Sequence, residues 1–155
     1  MDKSPVTETP DELLINAERD IASLRILLSK RCYPEDFMYV PICFHATMAV
    51  EKLLKSYIIS NSKTIAKTHN LVYIYKVAKK VDNSLNKIEN DCTFLNKFVP
   101  KIKYCEEIPI TKQNMNDIIK SLDNICDFPP IKAMRDSFQQ THKFQIIDEI
   151  TDTSS

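Results

Sequence analysis

The chain has no glycine in its 155 residues, and that absence constrains its fold more than any residue it contains. Glycine-rich phosphate loops, both the P-loop and the dinucleotide fingerprint, need glycine where the backbone approaches the ligand. Hairpin-rich β folds need it where a tight turn demands positive φ. An all-helical protein remains, and its helices must end on Asn or Ser where glycine would usually serve. The length suits one domain. A hydrophobic share of 43% supplies an ordinary globular core, so wholesale disorder is excluded.

Charge and cysteine usage narrow the class further. The 21 basic and 21 acidic side chains cancel, which disfavours a general nucleic-acid binder but leaves room for a local patch. Five cysteines (Cys32, Cys43, Cys92, Cys105, Cys126) are scattered with no Cys-x-x-Cys pair. Neither a zinc cluster nor a thioredoxin-like motif is available, and core-facing reduced thiols in a cytoplasmic protein are expected. Met1 to Pro10 is polar and contains acids, unlike a secretory signal. No apolar run approaches the ~20 residues that span a bilayer. Three scattered histidines and no clustered carboxylates give no basis for a metal or other cofactor.

Periodicity predicts a bundle of four to five antiparallel helices, running up and down around one core over residues 9–128. Residues 1–8 are expected to be flexible, and 129–155 an extension with one helix and then a disordered end. Thr9 caps the first helix, with Pro10 in its first turn and Leu14, Ala17, Ile21, Leu24 and Leu28 inward. It should stop near Arg31. A second helix, from about Phe37 to Asn61 with Pro41 near its start, is apolar on several sides (Phe44, Met48, Val50, Leu53, Leu54, Tyr57, Ile58) and belongs mid-bundle. Thr68 is read as N-cap of a third helix starting at His69. From Leu71 one register continues to Val99, broken at Asp82-Asn83-Ser84 because those side chains compete for backbone hydrogen bonds. Thr111 caps a further helix with Ile118, Leu122 and Ile125 inward. Pro129-Pro130 closes it, and a weaker helix follows from Ile131 to about His142.

The neutral total conceals one asymmetry. Between Lys52 and Val81 there are seven lysines (Lys52, Lys55, Lys63, Lys67, Lys76, Lys79, Lys80) and no acid. Such a flank, with His69 at a helix start inside it, suits a phosphate-bearing ligand, because lysines supply charge and a helix start supplies N–H donors. A solvated lysine face is the plainer alternative. Lysine outnumbers arginine 17 to 4, favouring diffuse attraction over bidentate recognition. Glu51 can pair with Lys55 one turn on, either as a buried polar network or as a ligand contact. His45 is six residues from Glu51 and on a different face.

The order of motifs resembles a known family. Cys43-Phe44-His45-Ala46-Thr47-Met48-Ala49-Val50-Glu51-Lys52-Leu53-Leu54-Lys55 is similar to the central helix of HEPN domains, typically Phe-His-x-Gln-Gln-Ala-x-Glu-Lys-x-Leu-Lys-Ala. Thr68-His69-Asn70-Leu71 resembles the family's Thr-His-x-Leu, and Lys103-Tyr104-Cys105 stands where many members have Arg-Tyr-Pro. The agreement runs from about Glu12 to Cys126. It implies a bundle similar to the helical domain of kanamycin-type nucleotidyltransferases, homodimerisation, and a small nucleotidyltransferase as partner. It further implies nucleotide or RNA binding in a toxin–antitoxin or defence setting. Ligand contacts are then expected from Lys52, Lys55, His69, Lys76, Lys103 and Tyr104, with Glu51 and His45 as polar core or site.

Cleaving members of that family carry Arg, four to six residues, then His near the last core helix. Between Gln113 and Cys126 this chain has neither; the spacing occurs only at Arg135 and His142. Thr47 and Met48 replace the paired glutamines, and Lys103 the arginine. A non-catalytic, phosphate-binding module is the leading expectation. The alternatives are a metal-independent ribonuclease toxin using Arg135 and His142, and a purely structural dimerisation module.

Overall fold

The computed structural model describes residues 3–29, 35–99 and 110–142. Over these the chain is all-helical. We number the helices α1 (Pro10–Ser29), α2 (Glu35–Ser60), α3 (Leu71–Val81), α4 (Glu89–Asn96), α5 (Lys112–Asp127) and α6 (Pro129–Thr141), with a 3-10 turn over Asn83–Ile88 joining α3 to α4. No β-strand occurs among the described residues, and an isolated bridge joins Pro5 to Ala66.

Capping chemistry sets most boundaries. Thr9 and Glu12 exchange side-chain-to-backbone bonds of 2.9 and 3.1 Å, a capping box that starts α1 at Pro10. Thr111 and Asn114 do the same for α5. Asp82 ends α3, then accepts from the Ser84 amide to start the 3-10 turn, so the expected break falls where the polar cluster stands. Lacking glycine, α2 closes on Ser62 at φ 62°, in the left-handed region. Amides of Ser62 and Lys63 donate to the Ile59 and Ile58 carbonyls, the paired bonds of a Schellman closure.

Two starts differ from expectation. α2 begins at Glu35 and carries Pro41 inside it. α3 begins at Leu71, not His69, because the Asn70 side chain accepts from the Tyr73 amide and so takes the N-cap position. Thr68 instead accepts from the Asn70 amide in a local turn at 3.1 Å. His69 thereby stays outside the helix and reaches α2.

One core gathers side chains from every helix. The anticipated α1 residues Leu14, Ala17, Ile21 and Leu24 are buried. On α2, Ala46, Ala49, Val50, Leu53, Leu54 and Ile58 are fully enclosed, as its many-sided apolarity requires. Phe44 departs from that set and is exposed. At the two polar ends, residues 4–6 bond to residues 65–67, and α6 adds Ile131 and Phe138 to the common core.

Cross-helix bonds fix the directions. Asp20 meets His45 and Lys52 while Pro10 meets Ser56, so α1 and α2 are antiparallel. Arg135 meets Glu18 while His142 approaches Asp11, so α6 runs antiparallel to α1. The Leu71 amide donates to Asn96, placing the start of α3 against the end of α4.

Candidate functional site

Polar side chains around α2 form two clusters, one at its contact with α1 and one at the α2–α3 connection, each centred on a buried carboxylate. Asp20 is 8% exposed, and its Oδ1 lies 2.9 Å from His45 Nδ1 while its Oδ2 accepts from Lys52 Nζ at 2.6 Å. His45 and Lys52 are two helical turns apart, so one carboxylate on α1 bridges one face of α2. Glu51 is 5% exposed; its Oε2 accepts from Lys55 Nζ at 3.0 Å and its Oε1 lies 2.6 Å from His69 Nδ1. In both clusters a histidine Nδ1 faces a carboxylate oxygen at hydrogen-bond distance.

These clusters change the expected ligand set. Lys55 is 6% exposed, because it faces inward on a helix surrounded by neighbours, and its ammonium is spent on Glu51. Lys52 is half-buried against Asp20. His69, expected among the ligand contacts, ties the α2–α3 connection to α2 through Glu51. Of the seven lysines between Lys52 and Val81, those left at the surface are Lys63, Lys67, Lys76, Lys79 and Lys80, exposed or half-exposed. On α3, Lys76, Lys79 and Lys80 lie away from the buried Leu71, Ile74, Tyr75 and Ala78. Lys103 and Tyr104 lie outside the described residues.

Asp20 was missed in the sequence, although a signal existed. It falls on the apolar stripe between Ala17 and Leu24, and a carboxylate there needs a cationic partner from another element. Glu18 was missed as well. It holds Arg135 by two bonds, Nε to Oε1 at 2.6 Å and Nη2 to Oε2 at 3.1 Å, a bidentate grip in which both partners are largely buried. Burial opposes the arginine's charge, but hydrogen bonding to Glu18 and the adjoining negative groups outweigh it, and the pKa is raised.

His142 stands two turns further along, about 10 Å on the helix rise. Its ring stacks on Phe138 at 4.1 Å between centroids, and Nδ1 lies 2.9 Å from Thr141 Oγ1. Within the chain the two residues occupy separate environments. A shallow cleft of about 230 Å³ beside His142 is lined by residues including Pro10, Asp11, Ser60 and Phe138; it does not include Arg135.

The buried thiols offer no nucleophile at neutral pH. Burial pushes Cys43 and Cys92 up to about 12 and Cys126 to about 11, so all three remain protonated. Among the described residues no group of three or more His, Cys, Asp or Glu is placed to hold a metal ion. None of the described helices is long and apolar enough to cross a membrane.

The fold and this polar wiring define a small helical bundle with a central helix tied by carboxylates to its neighbours. A family model for the HEPN domain matches residues 11–132. The chain belongs to that family. Searches of curated proteins and of solved structures returned no match.

Proposed function

We propose that this HEPN domain binds a nucleotide or nucleic-acid phosphate group without cleaving it. In this reading it works as a homodimer or beside a small nucleotidyltransferase in a toxin–antitoxin or defence setting. The carrying observation is the sorting of the lysines. Asp20 and Glu51 neutralise Lys52 and Lys55, while Lys63, Lys67, Lys76, Lys79 and Lys80 stand at the surface in a stretch with no acid from Lys52 to Val81. Ammonium groups on flexible stems attract phosphates by charge rather than by fixed geometry.

Arg135 and His142 support the non-cleaving side of the reading. Stabilising a phosphorane-like transition state needs an arginine whose charge is available, and Glu18 already holds this one with both oxygens. Ile26, Val40 and Phe44 are exposed at 53%, 45% and 39% towards the same end of the antiparallel α1–α2 pair, and in this reading a second copy covers them. Thermal unfolding with added ATP or short RNA tests the binding claim. Ligand at 100 times its dissociation constant should stabilise the fold by about 2.7 kcal/mol, and no shift with either ligand contradicts the reading. RNA cleavage that is abolished in His142→Ala would establish the ribonuclease alternative instead.

A further inference from the structure

The connection between α2 and α3 is held down by a segment from the far end of the sequence. The Val6 amide donates to the Ile65 carbonyl at 2.9 Å, and the Lys67 amide donates to the Ser4 carbonyl at 2.8 Å. This is the isolated antiparallel bridge between Pro5 and Ala66. The Val6 side chain packs against the core from outside, while Ile65 is buried at 3% beside it. Residues 61–70 are otherwise held by Ile65 in the core and by anchors towards their two ends. Ser62 closes α2 in a left-handed conformation, and His69 bonds Glu51. Between these, the backbone bonds that reach the loop from the N-terminal segment fall at Ile65 and Lys67, on the stretch that follows Lys63.

We propose that residues 4–6 form a releasable strap that holds the basic loop against the bundle, so that undocking the strap frees Lys63 and Lys67 without unfolding the helices. A three-residue segment docked through backbone bonds and one half-buried valine is a small cooperative unit, of the kind that opens locally ahead of global unfolding. The adjoining capping box, Thr9 with Glu12, keeps α1 intact when the strap leaves. The strap's position is independent of whether the loop binds phosphate, so the proposal stands or falls separately from the function above.

Limited trypsin digestion of the full chain tests it, since cleavage of a protected site tracks the population of its opened state. Val6→Pro deletes the donor to Ile65 while keeping the extended backbone. Val6→Asp keeps the donor and removes the apolar packing. Both variants should be cut after Lys63 and Lys67 about tenfold faster than the parent chain, with Lys120 and Lys132 in α5 and α6 cut at unchanged rates. Unchanged cleavage at Lys63 and Lys67 in both variants would overturn the strap. So would equal acceleration at all four sites, since that reports global unfolding.

Discussion

Ser62 shows at the scale of one residue what a glycine-free chain does at a helix end. A side chain at positive φ costs about 1–2 kcal/mol, and the Schellman bonds from Ser62 and Lys63 hold it there. Replacing it with glycine removes the Cβ conflict, so Ser62→Gly should raise stability by about 1 kcal/mol in denaturant unfolding. A lower midpoint would show that the serine side chain contributes more than its conformation costs. Glu51 and Lys55 make the opposite case. Glu51→Gln strands a buried ammonium and should destabilise the fold by about 3 kcal/mol. Replacing both residues with Met should recover most of that loss, because removing a buried pair together leaves no unpaired charge. Additive losses in that double-mutant cycle would mean the two groups do not depend on each other.

At the scale of elements, what the sequence revealed depended on whether the signal was local. Caps at Thr9 and Thr111, the break at Asp82 and the i, i+4 pair of Glu51 with Lys55 all depend on neighbours within four residues, and each was legible. The contacts that escaped are long-range. His69 reaching Glu51, Asp20 receiving Lys52, Glu18 gripping Arg135 and Ser4 meeting Lys67 each join residues from different elements. No helical period encodes such a partner. The same blindness made α6 look peripheral, since its short apolar pattern did not show that Phe138 and Ile131 close one side of the core. Phe138→Ala should cost about 3–5 kcal/mol, measured by urea unfolding; a loss below about 1 kcal/mol would return α6 to the status of a surface helix.

Across the whole molecule, the buried thiols link stability to alkaline pH. Cys43, Cys92 and Cys126 have folded pKa values raised to about 12, 12 and 11. The folded chain therefore keeps these protons longer than the unfolded chain, whose thiols release theirs near pH 8.5. Their contribution is complete below that pH and is lost as pH rises toward the folded values. Melting temperature should fall steeply between about pH 9 and 11, and less steeply when all three are replaced by alanine. Identical slopes for the two proteins would show that the thiols do not carry the effect.

The proposed phosphate binding rests on the sorting of lysines into paired and surface sets, and the salt dependence of short single-stranded RNA binding tests it most directly. If the five surface lysines all neutralise phosphates, the log–log slope of affinity against salt should approach about −3.5. It should fall in magnitude by about 2 when Lys76, Lys79 and Lys80 are changed to glutamine. No saturable binding, or a slope unmoved by those three substitutions, would contradict the account.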